Sequence, residues 1–484
     1  MQELLHVDDM TDEEYELYVR GFVLNEDSEV IKHNPNFFAR HVQENFDFIH
    51  ANDSTWYQYQ ESLFVEITQN ELEQFVYEEM QEPRFGVWRE RYAKESLVAM
   101  KNMLFNPNPL NENRDLINLL NGMYDTVNNE LIPHDPKYLS TIQVPIEFDE
   151  EATCPIFENL LEEWFEGDKE RITKAIEWLG YSISTDTSAQ KALFLWGSGS
   201  NGKGVFTEIL THLVHKDNVS NVALNELQKN FYRATLYGKS LNIASETEFG
   251  SKKFNTQYFK AITGQDRINA DFKNKQVFSF DPTVKLVISM NNFPMTNDNT
   301  NGYYRRIDFL PFTRQFSEEE QDRTLKDKVI QNEMPGIFNL ALKGLNQLRA
   351  NGFEFSPCAE SDKVLKSYKA ELNPMILFFD ECIEETTDTT HQSDRKSIVE
   401  RYYKWVDENC FGSDNKYKTP TFWNKFRAEA EKRNIKTKNG HSGNFNYQTG
   451  VKLKDESSSK MRPKRTKKNP KPAVTLSDLG EDEE

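Results

Sequence analysis

Residues 192 to 204 read Ala192-Leu193-Phe194-Leu195-Trp196-Gly197-Ser198-Gly199-Ser200-Asn201-Gly202-Lys203-Gly204. The first five residues are apolar and predict a buried strand. The next eight form a glycine-rich loop with a lysine in its seventh position. Apolar residues then recur at the spacing of one helix face, at Val205, Phe206, Ile209, Leu210 and Leu213.

A strand, a glycine loop, a lysine and a helix in this order surround phosphate groups with backbone N–H donors. The lysine reaches the outer phosphates, and the helix N-terminus faces their negative charge. We therefore predict that residues 197–204 bind a nucleoside triphosphate, ATP, and that Lys203 contacts its phosphates.

Position 204 departs from the usual loop, where a Ser or Thr hydroxyl ligates Mg²⁺. Here it is Gly204. Water can fill that ligand position while acidic residues elsewhere hold the ion, because Mg²⁺ commonly keeps several waters. An accidental glycine loop is the open alternative.

Length, charge and cysteine content limit the classes of protein to which this chain can belong. The 484 residues are enough for two to four domains, and the net charge is −20. This charge excludes a surface that is basic throughout, but not a local basic site for nucleic acid. The four cysteines have no paired spacing, which argues against a zinc cluster or disulfides. With no signal peptide and no membrane-length apolar run, we expect a cytoplasmic protein without a membrane partner.

Helices and apolar strands alternate from residue 186 to residue 350, which predicts an α/β fold with a mainly parallel sheet between helices. The four strand candidates are residues 193–196, 241–245, 284–290 and 307–310. Upstream, residues 111–185 form a helical segment in which Gly180 is expected to end a helix.

The flanking regions are less regular. Residues 1–110 predict an α+β region with a strand pair at 55–59 and 63–67. Residues 351–455 predict a winged-helix-like DNA-binding module, although a plain helical cap fits the same pattern. Residues 456–484 predict a disordered tail with a basic block and an acidic tip, either solvated or in contact with nucleic acid.

Polar residues lie at the ends of the predicted strands at three places. Glu246 and Glu248 end one strand and suit a Mg²⁺ site with a positioned water; two solvated acids are the alternative. Asn291 ends the next strand, at the position expected for the γ-phosphate. Arg305 and Arg306 precede the last strand, where a surface ion pair is the alternative.

Lys273 and Lys275 lie between extended residues and are predicted to occupy a hairpin tip. Lysines at such a tip can hold a phosphate backbone without reading sequence. A solvated turn is the alternative.

Over residues 110–345 this series of motifs resembles the superfamily 3 helicases, in particular the bacteriophage, plasmid and poxvirus-type primase-helicases. The resemblance implies an AAA+-like P-loop core in which Lys203 serves the phosphates, with Glu246 and Glu248 as the acidic strand end. It implies that Asn291 is the sensor residue. It also implies that Arg306, or failing that Arg305, completes a neighbouring subunit's site.

The same resemblance implies a hexameric ring in a bacterial host cytoplasm, using ATP and Mg²⁺ and gripping single-stranded and forked DNA through Lys273 and Lys275. Residues 1–110 contain no credible Asp-x-Asp primase site, so a separate primase is expected as a partner. An ATP-switched replication initiator or loader is the second hypothesis. A small-molecule kinase is disfavoured because it leaves the lysine hairpin unexplained.

Overall fold

The computed structural model describes residues 6–52, 54–246, 253–272, 277–322, 324–388, 391–409, 416–442 and 445–454. The chain forms two compact units, here called unit 1 (Met1–Tyr368) and unit 2 (Lys369–Glu484). The finer division into five segments stays a prediction.

Unit 1 begins with an α+β region. Two of its helices start at threonines, Thr11 and Thr68, whose hydroxyls accept from the third helical N–H of a capping box. The predicted strand pair forms an antiparallel hairpin within a four-stranded sheet of order β5-β4-β3-β6. The elements are α1 (Asp12–Val19), β1 (Phe22–Leu24), β2 (Val30–His33), α2 (Pro35–Asn45), β3 (Phe48–Ala51), β4 (Trp56–Gln60), β5 (Leu63–Ile67), α3 (Gln69–Gln81), α4 (Glu90–Met103) and β6 (Phe105–Asn106).

The next region contains a three-stranded antiparallel sheet as well as helices. Gly180 was expected to end a helix, and this prediction is wrong, because the helix continues to Ile183. A Cβ at position 180 would lie 2.3 Å from the backbone nitrogen of Leu345, so the glycine permits close packing of two helices. The elements are β7 (Leu116–Leu119), β8 (Gly122–Asp125), β9 (Glu130–Ile132), α5 (Pro155–Phe165) and α6 (Lys169–Ile183).

The remainder of unit 1 is built on a five-stranded sheet whose strands are all parallel, in the order β11-β12-β15-β10-β16. This confirms the predicted mainly parallel sheet. The elements are β10 (Ala192–Trp196), α7 (Lys203–Val214), β11 (Val219–Ser220), α8 (Asn230–Ala234), β12 (Leu241–Glu246), α9 (Gln257–Thr263), β13 (Ile268–Ala270), β14 (Phe278–Phe280), β15 (Lys285–Met290), α10 (Asn301–Tyr304), β16 (Ile307–Pro311), α11 (Leu325–Asn332), α12 (Met334–Ala350) and α13 (Ala359–Leu372).

Helices cover both faces of this sheet. Successive residues of β10 point to opposite sides and therefore contact both helix layers. Leu193 and Leu195 belong to a fully buried core shared with α5, α6, α7 and α12. Phe194 packs on the other side against Phe259 of α9. The three strands that follow β10 in the core, β11, β12 and β15, lie on one side of it. The last strand, β16, lies on its other side, so the strand order reverses at β10. Ligands of open α/β sheets bind at the carboxyl end of the strand where such a reversal occurs.

The described part of unit 2 has helices packed around an aromatic core, followed by a β-hairpin. Phe378, Tyr402, Trp405, Phe422 and Phe426 are all buried there. Its strands form a sheet of order β18-β20-β19 and a separate β17–β21 pair. The elements are α14 (Pro374–Cys382), β17 (Ile383–Glu385), β18 (Ser393–Asp394), α15 (Arg395–Glu408), α16 (Thr419–Lys432), β19 (Lys438–Ser442), β20 (Phe445–Thr449) and β21 (Val451–Leu453).

Two further predictions concern the C-terminal tail and membrane-spanning helices. The predicted tail, residues 456–484, lies outside the described residues. Across the ranges that the structure describes, no helix combines the length and the apolar character needed to traverse a bilayer.

Candidate functional site

The glycine-rich loop lies at the carboxyl edge of the parallel sheet. Trp196, the last residue of β10, is in register with Met290 of β15 and Pro311 of β16. The backbone N–H of Gly197 donates to the carbonyl of Met290 over 3.3 Å. The loop and Asn291, the residue that follows β15, therefore occupy the same edge.

Lys203 is the first residue of α7 and is 6% exposed. Its Nζ donates to the carbonyl of Gly197 (2.6 Å), to Oδ1 of Asn201 (3.2 Å) and to Oδ1 of Asn291 (3.3 Å). Among the described residues it has no carboxylate partner, and burial lowers its pKa to about 8. A buried cation held only by neutral oxygens is incompletely compensated, so an anionic ligand would stabilise it.

The loop is held in shape by contacts to residues far away in the chain. Gly202 has a φ of +94°, and a Cβ there would lie 2.5 Å from Nε1 of Trp164 on α5. The Asn201 side chain donates to the carbonyl of Phe312 (3.1 Å), and the N–H of Phe316 donates to the carbonyl of Ser200 (2.8 Å). The backbone N–H groups of the loop are thus preorganised before any ligand arrives.

A pocket of about 420 Å³ opens between this loop, α5 and the segment that leads into α11. Its volume lies in the range of small-molecule sites. Lys203 and Asn291 mark its polar end, and its apolar lining includes Leu160, Trp164, Phe316 and Leu325. Such a lining suits a ligand that has an anionic part and a flat apolar part. Sequence patterns did not reveal Trp164 or Phe316 as lining residues.

The acidic residues proposed for the metal are only partly described. Glu246 ends β12 with its backbone paired to Met290, at the same edge as the loop. Its side chain and the whole of Glu248 lie outside the described residues. Within the described ranges no three His, Cys, Asp or Glu side chains converge as a metal-ion ligand set. The assignment of Mg²⁺ to Glu246 stays a prediction.

Arg306 directly precedes β16 and so lies at the amino ends of the strands, whereas the loop lies at their carboxyl ends. Its carbonyl accepts from the N–H of Ala192, the first residue of β10. The five residues of β16 separate it from the loop by about 16 Å of strand, more than an arginine side chain spans. The guanidinium is half-buried and donates to the carbonyl of Gly302, whereas Arg305 is exposed. Burial and the neighbouring Arg305 lower the pKa of Arg306.

Lys273 and Lys275 lie outside the described residues, but the stem of the predicted hairpin is present. Strands β13 and β14 pair antiparallel, and Phe272 stacks on Phe278 with their ring centroids 5.0 Å apart.

Helix α8 is fastened to this stem by its buried residue Arg233, which donates to the carbonyl of Asn269 over 2.8 Å. Two aromatic residues of α8 are nevertheless open to solvent, Phe231 (57% exposed) and Tyr232 (40%). Sequence reasoning missed them, because an apolar residue in a short helix normally predicts burial.

Comparisons with known proteins agree with these observations. Residues 30–166 match a family model described as D5 N terminal like, and residues 195–306 match one described as a family of unknown function, DUF5906. An Acanthamoeba polyphaga mimivirus protein named "Putative helicase L207/L206" is 28% identical over 225 residues, 43% of this chain. The chain spans 22% of the length of that relative.

Solved structures of the C-terminal region of NrS-1 share the fold. One apo structure has a TM-score of 0.52 at 12% identity and covers 86% of this chain and 99% of its own. A second apo structure has a TM-score of 0.53 at 13% identity and covers 87% and 100%. At such low identity the likeness concerns the fold alone.

The fold and the family matches define a mixed α/β protein with a D5 N-terminal-like region ahead of a parallel-sheet core. These matches confirm the resemblance to the phage-type primase-helicases that was drawn from the sequence.

Proposed function

We propose that this protein is an ATP-dependent DNA helicase of phage or mobile-element replication, acting as a ring of identical subunits. The observation that carries the proposal is the uncompensated cation of Lys203 in the pocket at the carboxyl edge of the sheet. Unit 1 then supplies an AAA+-like P-loop core, and unit 2 supplies a winged-helix-like DNA-binding module.

The residues around the pocket fit a nucleoside triphosphate. The loop N–H groups and Lys203 would hold the phosphates, and the apolar wall with Trp164 and Phe316 would hold the base. Asn291 keeps Lys203 aimed at the phosphate end through its Oδ1 and can orient a water there. A bound Mg²⁺ would neutralise phosphate charge, with Glu246 as the proposed ligand.

The position of Arg306 supports a ring. Because it lies at the far edge of the sheet, it can complete a nucleotide site only in another copy of the chain. An arginine supplied in this way stabilises the charge of the transferring phosphoryl group. Hydrolysis then depends on how neighbouring subunits are placed.

The hairpin and α8 support a nucleic-acid partner. Lys273 and Lys275 are proposed to grip the phosphate backbone, and Phe231 and Tyr232 offer exposed rings beside the hairpin stem. Aromatic rings of this kind stack on unpaired bases without sequence preference.

Hydrolysis and strand displacement test the proposal together. The purified chain is expected to hydrolyse ATP faster when single-stranded DNA is added, and to displace a strand from a forked duplex. The second hypothesis, an initiator or loader, predicts ATP-dependent DNA binding with little displacement. A monomer that hydrolyses ATP at full rate regardless of DNA would contradict both.

Replacing Gly204 by serine tests whether a hydroxyl at this position can ligate Mg²⁺. A Cβ at this position meets nothing within 4 Å, so the side chain fits at the start of α7. We expect stability to rise by about 0.5 kcal/mol, because glycine is a poor helix residue. Half-maximal hydrolysis is expected at a lower Mg²⁺ concentration, as a new hydroxyl ligand becomes available.

Gly202→Ala is the matched control, since its φ of +94° and the Trp164 ring leave no room. It is expected to lose about 1–3 kcal/mol of stability. A serine at 204 that slows hydrolysis at every Mg²⁺ concentration would show that this position does not face the metal.

A further inference from the structure

Unit 2 contains a polar groove of about 810 Å³ on the side where its hairpin approaches its helices. One wall is the first turn of α15 with Arg395 and Lys396, and the opposite wall is the β19–β20 hairpin. Trp423 of α16 contributes to the lining. The groove therefore lies between two helix N-termini and a hairpin.

The guanidinium of Arg395 is fixed in place. Its Cζ lies 3.8 Å above the ring of Trp423, which is itself buried. Burial lowers the pKa of Arg395, and the positive charge of Arg427, one turn beyond Trp423 on α16, lowers it further. A partly buried guanidinium that is held over an aromatic ring favours an anionic ligand beside it.

The carboxylates of the groove are already engaged within unit 2. Asp394 accepts from the N–H groups of Lys396 (3.3 Å) and Ser397 (3.0 Å) and so caps α15. Glu400 lies 3.7 Å from the ammonium group of Lys396. Asp394 is thus engaged by backbone donors and Glu400 by Lys396, whereas the guanidinium of Arg395 remains for a ligand.

The hairpin wall offers neutral polar groups. Asn439, His441 and Asn446 line the groove from β19 and β20, and the ring of His441 is 2.9 Å from Oδ1 of Asn446. Amide and imidazole groups hydrogen-bond phosphate oxygens as well as base edges.

We infer that this groove binds the phosphate backbone of duplex DNA, with Arg395 as a phosphate contact and α16 facing the major groove. The inference deepens the proposed function of unit 2 and rests on it. Duplex DNA is favoured because α16, whose Trp423 lines the groove, also carries the exposed residues Asn424 and Arg427, whose side chains are hydrogen-bonded to each other over 2.6 Å. These side-chain types read adenine and guanine edges, and a helix beside a hairpin fits a duplex.

The test measures binding of the full chain to a 20-base-pair duplex, and to one of its strands alone, over a range of salt concentrations. Arg395→Ala is expected to weaken duplex binding about fivefold to tenfold at 0.1 M salt, and to reduce the slope of log K against log salt by about 0.9. Asn439→Asp places a negative charge in the groove without changing side-chain size, and is expected to weaken binding similarly.

Lys432→Ala is the matched control, because it removes one cation at the far end of α16, about 14 Å along the helix from Trp423, the nearest groove residue on α16. The duplex affinity and salt slope of the Lys432→Ala variant are expected to change less than those of Arg395→Ala and Asn439→Asp. Melting curves establish that each variant is folded, and Asn439→Asp, at an exposed position, keeps the test valid if Arg395→Ala unfolds.

Unchanged duplex affinity and salt slope in Asn439→Asp and in folded Arg395→Ala would overturn the inference. So would tighter binding of the single strand, weakened by the same variants, since it would assign the groove to unpaired DNA. ATP hydrolysis by the unmodified chain is measured in parallel. Its absence would contradict the proposed function, whereas the groove is judged from the duplex titrations alone.

Discussion

Lys203→Ala is expected to reduce ATP hydrolysis to background, a loss of at least about 10²-fold to 10³-fold, as for other preorganised charge-stabilising groups. Lys203 is the cation at the polar end of the pocket, and three oxygens hold its Nζ in place. Alanine removes the group that would neutralise the outer phosphates. The measurement is steady-state phosphate release at saturating ATP and Mg²⁺.

The fold is expected to survive this change. Lys203 has only neutral oxygen partners among the described residues, so its removal breaks no ion pair there, and burial opposes its charged state. The variant should therefore keep a cooperative melting transition. Lys239→Ala serves as the control, because Lys239 precedes β12 at the opposite edge of the sheet. Full hydrolysis in folded Lys203→Ala would refute the site.

Arg306→Ala is expected to lower hydrolysis by about 10³-fold to 10⁵-fold, the range for an arginine supplied in trans. Since Arg306 lies beyond reach of its own loop, the loss should be repaired by a subunit that carries Arg306 but lacks Lys203. Neither variant alone should be active. Their equal mixture should recover up to about a quarter of the normal rate, because half of the sites are intact and half of those have a competent neighbour.

Arg305→Ala is the control for this experiment. It removes an exposed arginine from the adjacent position, and its mixtures test whether Arg305 supplies the group instead. Recovery with Arg305→Ala and none with Arg306→Ala would reassign the role. An absence of recovery in every mixture, with rings still formed, would contradict a site shared between subunits.

Local sequence patterns predicted the centre of unit 1 well. The apolar run at 192–196, the glycine loop and the helix that starts at Lys203 are adjacent in the chain, and each depends on short-range rules. Strand candidates at 241–245, 284–290 and 307–310 correspond to β12, β15 and β16 within one residue at each end. A run of buried apolar residues between turns has few other structures available to it.

The packing of one helix against another was harder to predict from the sequence, as Gly180 illustrates. A glycine near the end of an apolar helical pattern normally predicts a stop. Here α6 continues to Ile183, and the glycine serves packing instead, because the backbone of α12 at Leu345 occupies the space that a side chain would need. A contact between residues 165 positions apart leaves no local periodicity to detect.

The sequence by itself therefore determined the strand–loop–helix unit, the parallel sheet and the lysine at its edge, since these follow from hydrophobic periodicity and glycine conformation over short spans. Tertiary structure alone decided that Trp164 packs on Gly202, that Arg306 lies at the far edge from its own loop, and that Arg395 stacks on Trp423. Those relations depend on strand order and on the packing of distant segments, which no local pattern encodes.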